Sequence, residues 1–208
     1  KTNEILATVI AIAVKETINH LKYMPESKII KVNKSKMILL PKKGDINTDL
    51  YRYRKREPIC TEYLINSGII KKNDTVLDIG ANIGYYALIE SQLVGKNGKI
   101  YAVEPIKSTY KTLQTNVKLN HSENIATYQL AFGDKNTHSE IFVSKWSNLC
   151  AMSKDAVGGE VLGTQDVSVV TVDEFVKDKP APNLILMDVE GYEYEIIKGM
   201  TQTLKGKT

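Results

Sequence analysis

The chain has 208 residues, enough for one well-buried α/β domain with a short N-terminal addition, and too few for a second catalytic domain. Its 42% hydrophobic and 25% charged residues are ordinary for a globular protein, and a net charge of +4 does not by itself call for nucleic acid. Cys60 and Cys150 lie far apart without Cys-x-x-Cys spacing, and His20, His121 and His138 lack metal-ligand spacing, so no disulfide framework and no metal site is expected and a reducing cytoplasm is the simplest location.

In chain order, residues 3–22 read as a helix with Ile5, Val9, Ile12 and Leu21 near one face. The apolar run at 5–14 is about half the ~20 residues a membrane span needs. Glu4 sits in the wrong flank for a secretory signal, and the start at Lys1 rather than Met suggests a fragment. Runs at 28–32 and 37–40 predict a β-hairpin. After a polar loop, Tyr51-Arg-Tyr-Arg-Lys-Arg56 interleaves aromatic and basic side chains and contains every arginine of the chain, Arg52, Arg54 and Arg56. Such a stretch either meets phosphate or flat rings, or forms a solvated edge. Pro58 opens a helix that stops at Gly68. The chain thus divides into an N-terminal helix and hairpin extension, 1–56, and a principal domain, 57–208.

The principal domain is organised around Thr75-Val-Leu-Asp-Ile-Gly-Ala-Asn-Ile-Gly84. Val76, Leu77 and Ile79 form a buried strand, Gly80 to Gly84 a turn, and 85–94 a helix, so that backbone N–H groups at a helix start lie open to a ligand. With two glycines, the turn fails the Gly-x-Gly-x-x-Gly dinucleotide pattern. Asp78 would repel a diphosphate and suits a cationic group, unless it is only a turn former. Residues 99–103 read as the next strand and end on Glu104-Pro105, a little over the ~20 residues beyond the turn at which ribose-binding acids stand. A cation seat beside a ribose acid fits S-adenosylmethionine, which carries an ammonium, a sulfonium and a ribose. A helix at 108–121, a third core strand at 125–131, Gly133-Asp134 and an added strand at 138–143 follow. Next come a long loop at 145–165 with Trp146, a strand at 167–170 and a capping box at Thr171-x-x-Glu174. A fourth core strand at 184–187 closes on Asp188, and a helix spans 192–204.

In Val76-Leu-Asp-Ile-Gly-Ala-Asn-Ile-Gly84, Ala102-Val-Glu-Pro105, Thr171-Val-Asp173 and Met187-Asp-Val-Glu-Gly191, the chain resembles the FkbM family of S-adenosylmethionine-dependent methyltransferases. The resemblance implies an α/β, Rossmann-like, doubly wound and mostly parallel sheet. It also implies a cofactor held by Asp78, Gly80, Ala81, Asn82, Gly84, Tyr85, Glu104 and Pro105, with Gly133 and Asp134 near the adenine. Asp188 and Glu190 are the candidates to deprotonate or position an acceptor hydroxyl; the other reading is that they cap the following helix and favour its positive end. Arg52, Arg54, Arg56 and Trp146 are the substrate candidates. Leu186 departs from the lysine that many FkbM-like sequences carry there.

The expected reaction is O-methylation of a hydroxyl on a small molecule, sugar or lipid. An RNA methyltransferase is the alternative, because Asn116-Val-Lys-Leu-Asn120 resembles a helix of some tRNA methyltransferases, and a cofactor-binding fold without activity is the third reading. The complete fold places three strands after the Asp-Val-Glu-Gly helix, so the sheet is expected to lack its C-terminal strands and to leave the fourth as an edge. A longer protein is the expected cover, with the N-terminal hairpin or a partner subunit of a homodimer as alternatives.

Overall fold

The computed structural model describes residues 26–41, 46–145, 150–152, 157–158 and 160–206; the helix expected at 3–22 and Trp146 lie outside the described residues. Strands β1 (Lys28–Val32) and β2 (Ser35–Leu39) form an antiparallel hairpin that turns at Asn33, φ +53°. Helices α1 (Ile46–Tyr53) and α2 (Pro58–Asn66) lead to β3 (Thr75–Ile79), α3 (Tyr85–Val94), β4 (Lys99–Val103), α4 (Lys107–Leu119) and β5 (Ile125–Tyr128). After β6 (Ala131–Phe132), β7 (Thr137–Ser144), β8 (Val161–Val170) and α5 (Val172–Val176) come β9 (Leu184–Met187), α6 (Glu193–Lys198) and α7 (Thr201–Leu204).

The central sheet is parallel in the order β5-β4-β3-β9. All five residues of β3 are buried because strands flank it on both sides, as the apolar sequence of a central parallel strand requires. Strand β9 is half-buried throughout, and among the described residues it pairs with β3 alone. A second sheet, ordered β6-β8-β7, stands beside the first.

Three expectations change. The third core strand ends at Tyr128, and Ala131–Phe132 pair with β8 in the second sheet. Residues 161–165, expected as loop, extend β8 along β7, with Ile141 opposite Gln165 and Val143 opposite Gly163. The terminal helix breaks at Gly199, where a Cβ would lie 2.0 Å from the Gly133 carbonyl oxygen; this close approach of backbones ends α6.

No packing break separates the hairpin from the principal domain. Ile30, Val32, Met37 and Leu39 share one apolar cluster with Leu50, Val76, Ala87 and Leu113. Asn116 of α4 and Asn120, its C-cap, pin the hairpin. Asn120 accepts from the Lys36 N–H at 2.8 Å and donates to its carbonyl at 2.6 Å. Asn116, fully buried, accepts from the Ile38 N–H at 2.7 Å and donates to the Ile83 carbonyl at 2.8 Å, which ties the glycine turn to the hairpin. The Asn116–Asn120 pattern is therefore a structural clamp. Asn116→Ala leaves two backbone groups without their partner and is expected to cost about 2 kcal/mol or more; urea unfolding measures it, and a loss below about 0.5 kcal/mol would contradict the clamp.

Candidate active site

The three acids singled out in the sequence meet at the C-terminal ends of adjacent strands. Asp78 is the penultimate residue of β3, while Glu104 and Asp188 directly follow β4 and β9. All three line one cleft of about 710 Å³, a volume typical of small-molecule sites. In parallel α/β sheets the crevice beyond these strand ends is where ligands bind.

The turn between β3 and α3 shapes the floor. Gly80 has φ +86°, and a Cβ there would lie 2.1 Å from the Asp188 carbonyl oxygen, so only glycine lets β3 and β9 leave the sheet side by side. Asn82, with φ +50°, donates its N–H to Glu104 Oε2 at 3.0 Å, and the Ile106 N–H donates to Oε1 at 2.8 Å. Glu104 thereby couples the glycine turn to the exit of β4. Each of its oxygens keeps a second lone pair for a ligand.

Electrostatics mark the same groups. Asp78 is 2% exposed and its Oδ2 has no hydrogen-bond partner among the described residues. Burial, and then the charge of Asp188, push its pKa up to about 7. Burial also raises Glu104 to about 7, against the two N–H donors that favour its charged form. Glu90, on α3, is fully buried with neither carboxyl oxygen partnered among the described residues; burial and then Asp78 hold its proton affinity well above the ordinary range. Asp188 opens to the cleft, yet loss of solvent and then Glu57 raise it, while Arg56 opposes. Glu190, in a left-handed conformation at φ +54°, is raised by partial burial and then by Asp188.

Which ligand fits can be tested on these atoms. The unpartnered, buried oxygen of Asp78 beside the cleft suits a cation, and Glu104 suits paired hydroxyls. Ile106, Leu130, Ala131 and Phe132 add an apolar wall that suits a flat base. Among the described residues Arg56 is the one basic side chain along the cleft, so a pyrophosphate would find little counter-charge. The donor set fits S-adenosylmethionine.

Other expected positions divide. Ala81, Asn82, Tyr85, Pro105 and Glu190 line the cleft. Gly84 instead starts α3 at φ +89°, with the Leu113 side chain where a Cβ would sit. The Tyr85 hydroxyl is structural: it accepts from the Arg56 N–H at 3.2 Å and lies 3.1 Å from Thr61 Oγ1. Gly133 is buried beneath Tyr192 and Asp134 is exposed, and neither is among the cleft residues. Arg56 lines the cleft, whereas Arg54 lies over the Tyr51 ring at 5.7 Å and Arg52 is half-buried outside it. Glu57, Tyr86 and Glu90 were not expected. Glu57 is marked only by structure, through φ +42° at the N-cap of α2.

The Methyltransferase FkbM domain matches residues 78–207, more than half of the chain. The chain belongs to the FkbM methyltransferase family. Hexuronic acid methyltransferase AglP of Haloferax volcanii is 30% identical over 137 residues, which are 65% of this chain and 53% of that protein. A protein-L-isoaspartate O-methyltransferase of Thermosipho melanesiensis is 52% identical over 42 residues, 20% of this chain and 21% of its own. The crystal structure of an FkbM methyltransferase from Methylobacillus flagellatus superposes with a TM-score of 0.50 and 18% identity, over 70% of this chain and 34% of that one. The chain thus spans about half the length of AglP. The α/β fold described above is the one that this FkbM structure shares.

Glu90 yields a test of the buried charge. Its raised proton affinity means that, above the ordinary glutamate range near 4.3, the folded protein keeps a proton that the unfolded chain has lost. Stability therefore falls as pH rises, by up to about 1.4 kcal/mol per pH unit. Glu90→Gln removes this cost, so its stability gain over wild type should grow from pH 5 to pH 8 in urea unfolding. A gain independent of pH would show that Glu90 is ionised in the fold.

Proposed function

We propose that the protein is an S-adenosylmethionine-dependent O-methyltransferase whose acceptor is a hydroxyl of a sugar. The observation that carries the reading is the convergence of Asp78, Glu104 and Asp188 on one cleft, with Asp188 at its acceptor end holding a raised proton affinity. S-adenosylmethionine supplies a methyl group on a sulfonium. Asp78 would meet its ammonium, Glu104 its ribose hydroxyls, and the wall from Leu130 to Phe132 its adenine.

Asp188 is then the group that takes the acceptor's proton. A carboxylate whose proton affinity is raised is a better base than an ordinary aspartate, provided the hydroxyl sits within about 2.6–3.2 Å. Glu57, Asp188 and Glu190 share this end of the cleft with Arg56. The balance is negative, which favours a neutral hydroxyl over a carboxylate or phosphate and weighs against RNA. The hexuronic acid named for the relative AglP supports a sugar.

The test is transfer of a labelled methyl group to a panel of methyl pyranosides and methyl hexuronosides, with mass spectrometry of the product. The reading expects a base-stable methyl ether; a base-labile ester would place the acceptor on a carboxylate. Asp188→Asn should keep S-adenosylhomocysteine affinity within about twofold and lose about 10²-fold or more in turnover. Turnover near wild type would remove Asp188 from the chemistry; it does not cap the following helix either, whose N-cap is Tyr192.

A further inference from the structure

Residues 46–69 precede the matched family domain, yet Arg56 and Glu57 from this stretch form part of the cleft. Their turn between α1 and α2 is fixed from several sides. Thr61 Oγ1 donates to the Arg56 carbonyl at 2.6 Å, and the Tyr85 hydroxyl at the start of α3 accepts from the Arg56 N–H. Arg54 and Glu57 both take left-handed conformations, φ +58° and +42°, which residues with a Cβ adopt reluctantly and which concentrate at functional sites.

The Glu57 carboxylate is aimed by two donors. The Tyr86 hydroxyl donates to Oε2 at 2.8 Å, and Arg56 Nη2 meets Oε1 at 2.9 Å. Arg56 is held in turn by Asp49 at 3.6 Å. A carboxylate offers about four acceptor positions, so two stay available, and the Glu57 side chain is 39% exposed. Glu57 and Asp188 lie close enough to repel each other's charge. Two acceptor-only groups at one end of a cleft match a ligand that presents two hydroxyl donors side by side.

We propose that Glu57 is a further acceptor-binding residue, taking the hydroxyl next to the one that Asp188 takes, so that the site selects vicinal diols such as those of a pyranose ring. The inference rests on the sugar reading above. Arg56 and Tyr86 are positioning residues for the Glu57 carboxylate.

The test pairs one substitution with one change in the acceptor. The probes are the methyl pyranoside or hexuronoside with the highest turnover and its analogue lacking the hydroxyl adjacent to the methylated one. On the complete acceptor, Glu57→Gln should lower kcat/KM about tenfold or more, chiefly through KM, because a charge-assisted hydrogen bond is weakened. On the deoxy acceptor, wild type and Glu57→Gln should agree within about twofold. Tyr86→Phe, which frees Oε2 of its donor, should show the same pattern at smaller size. S-adenosylhomocysteine affinity, unchanged in both variants, reports an intact fold. Equal losses on both acceptors would overturn the role of Glu57 and leave the sugar reading standing. Absence of transfer from wild type to every pyranoside would overturn that reading, and this inference with it.

Discussion

Acidic groups gathered at the ends of three neighbouring strands, with Asp78 and Glu104 buried, are the constraint on which the site depends. Taking a carboxylate out of water costs several kcal/mol unless a proton, a hydrogen bond or a cation compensates. Each buried acid here has a different compensation. Glu104 accepts two backbone N–H groups, burial raises the proton affinity of Glu90, and Asp78, at the cleft, keeps one buried oxygen without a partner among the described residues. That unpartnered oxygen makes the site attractive to a cation, and on the proposed reading the cofactor is the cation.

The fold produces this gathering by ordinary means. A β3 flanked on both sides and buried throughout brings the ends of β4 and β9 within reach of Asp78. Glycine at position 80 removes the Cβ that would strike the Asp188 backbone. Asn116 then ties the same turn to a hairpin that precedes the family domain, and Tyr85 ties it to the turn carrying Arg56 and Glu57. The end of the cleft that carries Glu57 and Asp188 is thus built partly by residues ahead of the domain and partly by the domain itself, and both attach to one loop.

Much of this was legible in the sequence, for reasons that differ by element. The strand, turn and helix from Thr75 to Val94 announce themselves because a fully buried strand must be apolar and a tight exit needs glycine. Asp78, Glu104 and Asp188 stand out because each interrupts or ends such a strand. Helix α1 was hidden, since its buried face uses Asn47 and Thr48 beside Ile46 and Leu50, and polar residues in the core leave no periodic apolar signal. The outer half of β8 was hidden as well: it lies exposed in a long hairpin arm, so polar residues and Gly163 satisfy it. Gly133 reads as a ligand loop but serves packing, where the backbone of Gly199 crosses it. Glu90 reads as an ordinary helical surface residue, and only its placement against β3 reveals a buried acid.

The central claim is that a cation seats beside carboxyl groups that burial has raised to about 7, Asp78 and Glu104. Ionised forms hold the ligand, so its binding must pull protons off these groups, and affinity must rise as pH climbs through that value. Calorimetric titration of S-adenosylmethionine from pH 5.5 to pH 6.5, below the range of about 7.7–8.0 in which an α-amino group loses its proton, tests this directly. The account predicts that affinity tightens about fivefold or more across the window, with protons released to the buffer. Affinity that stays flat, with no proton released, would contradict it.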